Sequence, residues 1–275
     1  LLISSPGGSP VQAGIINDEL RRLKAKHGKP MYAPEGSFLA SSSGWYPRPS
    51  ELFSYRVNLA VPYGQRALVA GKRIAETLPA GPGESYRVSF EFTQPSDGID
   101  LMAGPWNVRE KIMARPAQSP IHLRTFFPAD LDAIPSLAQA YLDDTAAYIE
   151  RYSREIGAYP YSEFSIVASP LPTGFGMATL PSLGADVLRL PFIRKTSLGH
   201  EILHNWWGNG VYVDYERGNW SEGLTTFMAD YAYKEDESAA AASEMRLAWL
   251  RDAAVFAGEK PGALRDFRSR ANAAG

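Results

Sequence analysis

The chain of 275 residues is 45% hydrophobic and carries 28 basic against 30 acidic residues, a formal net charge of −2. That length and apolar content suit one large domain or two ordinary ones, and a near-neutral balance without long runs of either sign excludes nucleic acid and anionic membrane surfaces as expected partners. There is no cysteine, so disulfides and thiolate chemistry are ruled out and any metal must be held by nitrogen and oxygen.

No apolar run approaches the ~20 residues needed to span a bilayer, so no membrane segment is expected. The opening Leu-Leu-Ile in place of Met reads as a fragment or processed form and leaves the compartment open. Residues 1–29 show only a short helical pattern around Glu19 to Lys26. From there to Pro128 the chain reads as β-rich. Tyr55, Val57, Leu59 and Val61 alternate on one face of one run, and Tyr86, Val88, Phe90 and Phe92 on one face of the next. "VREKIMARP" and "IHLRTFFP" add two strands, and an antiparallel sheet or sandwich over 30–128 is the simplest account. At Pro128 the period changes. Leu137, Tyr141, Thr145, Tyr148 and Tyr152 recur at helical spacing, and Gly157 is a suitable stop. A strand "EFSIVAS", a Gly/Pro-rich loop "PLPTGFGMATLPSLG" and a short strand "ADVLRL" follow, then helical patterns over about 194–208, 219–234 and 238–258. The boundary near Pro128 divides a β-rich domain, 1–128, from a second domain, 129–275.

The chemistry concentrates in "TSLGHEILHNWWGNGVYVDYERGNWSEGLTTFMADY". On a helix, His200 and His204 stand one turn apart, so both rings face one side and can bind a single ion. Zinc suits them, and two histidines with one carboxylate form a common catalytic set that leaves a position for water. Glu222 is the expected third ligand. The intervening residues allow the first helix to end at Gly208 or Gly210 and a second to begin under an Asn219 or Ser221 cap, with Glu222 in its opening turn. Asp214 and Glu216, in the connecting turn, are the alternatives. Glu201 lies ~100° round the helix from His200 and is placed to act as general base on a metal-activated water rather than as ligand. Asp230 is either a carboxylate that hydrogen-bonds a liganding histidine or a solvated surface acid. His27 and His122 have no neighbouring partners in sequence and read as surface or structural. Of Trp206 and Trp207, one is expected beneath the site and the other at a pocket edge.

On His200, Glu201, His204, Trp206, Gly208, Asn209, Trp220, Glu222 and Gly223, with "IGAYPYSEFSIVAS" upstream, this chain resembles the aminopeptidase N family of zinc metallopeptidases, a gluzincin group. The resemblance is good over about 128–235 and weak over the β-rich part. It implies an α+β architecture, a thermolysin-like catalytic domain preceded by part of an antiparallel β-domain. It also implies Zn2+ on His200, His204 and Glu222, Glu201 as base, and a peptide substrate.

Three departures qualify the resemblance. The turn between His204 and Glu222 is one residue shorter than the family's. The family's Gly-x-Met-Glu-Asn edge strand, whose glutamate grips the substrate's α-amine, is matched by Gly174, Phe175, Gly176, Met177, Ala178 and Thr179, so the acid and the amide are both gone. The backbone of Gly174 to Met177 can still pair with an extended peptide, with Ala178 beside it in the expected substrate site; Phe175 either lines a side-chain pocket or tucks into the core, and Glu35 is a candidate replacement acid. The family's oxyanion-stabilising tyrosine falls just beyond Gly275, with Tyr231 and Tyr233 too early to replace it. The expected function is therefore zinc-dependent peptide hydrolysis without a settled preference for free N-termini. The alternative is a zinc-containing peptide-binding module with little or no catalysis.

Overall fold

The computed structural model describes residues 31–33, 36–116, 118–169, 174–214 and 216–254. They fall into two compact units, one within Gly28–Ile193 and the other formed by residues from Arg194 onward. The helical pattern around Glu19 to Lys26, His27 and Glu35 lie outside the described residues.

The first unit is built on three sheets. Strands β1 (Met31–Ala33), β2 (Gly36–Leu39), β4 (Arg66–Leu68) and β7 (Leu101–Gly104) form a four-stranded sheet in the order β1-β2-β7-β4. Strands β3 (Phe53–Val61), β5 (Lys72–Thr77) and β6 (Tyr86–Ser96) form a three-stranded antiparallel sheet with β6 in the centre. In β3 exposed residues alternate with half-buried ones, and in β6 Tyr86, Val88, Phe90 and Phe92 are all buried, as the period-two pattern required.

The third sheet is mixed, in the order β11-β12-β10-β9-β8, from β8 (Trp106–Arg115), β9 (Gln118–Pro128), β10 (Glu163–Ser169), β11 (Gly174–Met177) and β12 (Leu180–Gly184). Up to residue 128 the described strand pairings are all antiparallel, as expected, but the sheet that holds β8 and β9 continues past that point. They pair with each other antiparallel, but β9 pairs with β10 in parallel, Leu123 opposite Phe164. The composition explains this. From Ile121 onward β9 is almost wholly buried and β10 is buried throughout, the pattern of central strands covered on both faces. Trp106 at the start of β8 donates its indole N–H to the Ala168 carbonyl of β10 at 3.1 Å.

Helix α1 (Ala129–Asp132) is a single turn, and α2 (Leu137–Glu155) packs the sheet through Ala138, Tyr141, Leu142, Thr145, Ile149 and Tyr152, a stripe at three- and four-residue spacing. Tyr148 sits at the margin of that stripe. Tyr141 meets Phe127 edge to face and donates its hydroxyl to the Leu188 carbonyl. "ADVLRL" is not a strand: Ala185–Leu188 forms the short helix α3. Four residues of alternating character fit one helical turn as well as a strand, and only packing decides between them.

Within the expected loop "PLPTGFGMATLPSLG", Gly174–Met177 pairs antiparallel with Leu180–Leu183, and β11 is a sheet edge. Ala178 and Thr179 make the two-residue connection. Thr179 has φ 60°, a left-handed conformation that costs a β-branched residue on the order of 1–2 kcal/mol. Two hydrogen bonds hold it there: its hydroxyl accepts from the Gly71 N–H at 3.1 Å and its carbonyl from the Ser165 N–H at 2.8 Å.

The second unit is helical: α4 (Ser197–Leu203), α5 (Ser221–Thr226), a π turn (Phe227–Tyr231), α6 (Ala232–Glu237) and α7 (Ala239–Ala254). Among the described residues no helix is long and apolar enough to cross a membrane.

Candidate metal centre

Helix α4 buries Leu198, Ile202 and Leu203 and leaves His200 and Glu201 partly accessible. His204 caps its end in helical conformation, with its N–H on the His200 carbonyl at 3.2 Å, so the one-turn offset of the two histidines is kept. Their rings meet nearly perpendicular at 4.8 Å. The helix stops before Gly208 and Gly210, and these two glycines turn the chain back beyond it. Gly208 has φ 110°, and a Cβ on Gly210 would stand 2.6 Å from the Asn205 carbonyl oxygen. Only glycine permits so tight a return.

Glu222 stands in the first turn of α5, as expected, after Asn219 accepts the Ser221 N–H at 3.3 Å. His200 Nε2, His204 Nε2 and Glu222 Oε2 then converge, at 3.1 Å between the two nitrogens and 3.4 and 3.5 Å from each nitrogen to the oxygen. Among the described residues this is the group of three donors close enough to share one ion. Donor atoms at ~2.0–2.1 Å from a tetrahedral zinc stand about 3.3 Å apart, so the spacing fits. The ring nitrogens agree. His200 Nδ1 is 2.7 Å from Asp230 Oδ2 and His204 Nδ1 is 3.0 Å from the Trp207 carbonyl oxygen, acceptors that fix a proton on each Nδ1 and turn the two Nε2 atoms toward each other. Two bare lone pairs at that distance would repel, and either a proton on His200 Nε2 or a cation between the two rings relieves the conflict.

Of the residues singled out in sequence, His200, His204, Glu222 and Asp230 are thus brought together. Asp214 is exposed, pairs with Arg217 at 3.4 Å and accepts the Glu216 N–H, outside the converging set. Trp206 is the buried tryptophan. Trp207 is half-buried, with its indole N–H on Met228 Sδ at 3.3 Å. Sequence reading missed the surroundings of His204, where Ser221 and Thr225 hydroxyls stand 3.5 and 3.4 Å from Nδ1 and Ser221 donates to the same Trp207 carbonyl. A serine and a threonine in a helix carry no signal that separates this role from an ordinary surface one. His122, in the first unit, pairs with Glu110 at 2.9 Å.

Burial alone would lower the His200 pKa, but its hydrogen bonds to Asp230 and Glu222 and the charge of Glu201 outweigh it and push it up from 6.5 to about 10. Glu222 is moved the other way: burial would raise it, and the two histidines hold it well below the carboxylate range. In the metal-free protein the His200 contribution to stability is therefore complete below about 6.5 and fades as pH rises toward about 10, while that of Glu222 is lost as pH falls below the carboxylate range. A metal must displace the His200 proton. Zinc titration at about pH 7.5, measured by calorimetry in buffers of different ionisation enthalpy, is expected to release about one proton per ion; no buffer dependence would mean that His200 carries no proton for the ion to displace.

No protein-family model and no curated protein sequence matches the chain. Solved structures do. An M1 zinc metallopeptidase from Deinococcus radiodurans superposes with a TM-score of 0.66 at 21% identity, over 88% of this chain and 56% of that one. A mutant of the Deinococcus enzyme bound to a Tyr-Ser-Ala substrate gives 0.64 at 20% identity, over 90% and 57%. Aminopeptidase A of Legionella pneumophila, in complex with aspartic acid, gives 0.54 at 16% identity, over 75% and 26%. The chain spans little more than half the length of the Deinococcus structures it matches. It has the α+β fold found in part of the M1 zinc metallopeptidases.

Proposed function

We propose that the chain carries the active site of a zinc-dependent peptide hydrolase related to the aminopeptidases, with His200, His204 and Glu222 as metal ligands and Glu201 as general base. The convergence of the two Nε2 atoms and the Glu222 carboxylate, each histidine held from behind, is the observation that carries it. Bound there, zinc supplies Lewis-acid polarisation of the scissile carbonyl and acidifies water.

The remaining roles belong to the chain. Asp230 and the Trp207 carbonyl fix the histidine tautomers and hold the rings in orientation. Glu201, outside the ligand set, takes the proton of the attacking water and passes it to the departing amine, so the amine leaves neutral. The edge strand β11 is the place where an extended peptide can add as a further strand. Peptide binding by Gly174 to Ala178 then relies on main chain, and Ala178 offers no anion to a free α-amine.

Both free and blocked N-termini should therefore be accepted. The test compares matched fluorogenic peptides, one free and one blocked, with the longest natural form of the protein, with zinc and then with a chelator. Chelator-sensitive cleavage of both is expected. Cleavage of the free peptide alone would mean that another acid replaces the missing glutamate, and zinc-dependent peptide binding without cleavage would leave the binding-module reading in its place.

A further inference from the structure

One helix running from Ser221 to Glu237 carries both Glu222 and Asp230, and between them, over Phe227–Tyr231, it widens into a π turn. The two carboxylates reach one imidazole from its two ring nitrogens, Glu222 Oε2 at 3.4 Å from His200 Nε2 and Asp230 Oδ2 at 2.7 Å from Nδ1. Eight positions separate them. In an unbroken α-helix eight residues overshoot two turns by ~80°, whereas seven fall only ~20° short. A regular helix would thus bring Ala229, not Asp230, to the side of Glu222. A π turn takes up about one residue more than an α turn, so one turn of each kind consumes about eight residues and returns Asp230 to that side.

We infer that the π turn is a register device: it absorbs one surplus residue so that a single helix presents both the third ligand and the carboxylate that orients His200. This rests on the reading of His200 and Glu222 as zinc ligands. The packing around the turn agrees with it. Ala229 and Tyr231 remain buried, while Phe227, at the entry, is 55% exposed and stacks on Tyr231 with ring centroids 5.4 Å apart. The surplus is taken up on the solvent side.

Three variants test it. Deletion of Phe227 makes Asp230 the seventh residue after Glu222 and restores a regular helix that still aims the carboxylate at His200. Alanine inserted after Phe227 rotates Asp230 away. Asp230→Ala removes the group. The first readout needs no zinc: the hydrogen-bonded Nδ1 proton of His200, seen by NMR in metal-free protein, should persist in the deletion and disappear in the other two. The second is zinc affinity by competition with a chromophoric chelator, expected within about threefold of the parent for the deletion and weakened about 10- to 100-fold for the other two. A deletion that loses the proton, or that fails to unfold cooperatively, overturns the inference, and so does an insertion that keeps the proton. A parent that binds no zinc sinks the ligand reading instead, and the proton signals still decide the role of the turn.

Discussion

Glu201→Gln is expected to reduce peptide cleavage by about 10²- to 10⁴-fold while leaving zinc affinity unchanged. The substitution keeps the side chain's length and removes only its capacity to take a proton. Glu201 is one residue from His200 on α4 and outside the three converging donors, so the ligand set survives. Glu222→Gln should behave in the opposite order, weakening the metal first and activity with it. Initial rates on a fluorogenic peptide, together with zinc content after dialysis, separate the two. Undiminished cleavage by the Glu201 variant would remove it from the mechanism, and loss of zinc from that variant would make it a ligand.

Arg124→Met should destabilise the protein by about 3–5 kcal/mol, because it strands a buried carboxylate. Arg124 and Glu163 are only 4% and 5% exposed and are paired across β9 and β10, with Glu110 on the other side of the guanidinium at 2.7 Å. Burial pushes the Glu163 pKa up against the pull of Arg124, a sign that desolvation already exceeds the attraction within the pair. The Arg124 Nε is itself buried without a partner. For that reason the double variant Arg124→Met, Glu163→Leu is expected to recover most of the loss. Thermal unfolding followed by circular dichroism should show Tm lowered by roughly 10 °C in the single variant and nearly restored in the double. An equal loss in both would mean that the cost lies in packing rather than charge.

The three converging donors were legible because their spacing on a helix is a local property. His200 and His204 are one turn apart whatever surrounds them, and Glu222 needed only a helix start near Asn219. The strands were legible one by one for the same reason. Which sheet β9 joins was not, since its parallel partner β10 lies beyond the whole of α2 and no local pattern records that choice. Asp230 was visible as a candidate but not as a certainty, because at eight residues a regular helix points it off the ligand side and nothing in "TTFMADY" announces a π turn. The Trp207 carbonyl that holds His204 is main chain, and its position depends on the return of the chain at Gly208 and Gly210.

His200 and Asp230, the outermost members of the site, are only 30 positions apart in the chain. Closing so short a loop costs little entropy, which grows only as about (3/2)RT ln n. An ion held by His200, His204 and Glu222 would therefore act as a cross-link within this local segment, and its binding energy would become folding energy for that segment. Contacts of low sequence separation also form fastest. The segment from His200 to Asp230 can thus organise early, while pairings such as Gly71 with Thr179, 108 positions apart, must wait for the chain to find itself across a far longer span.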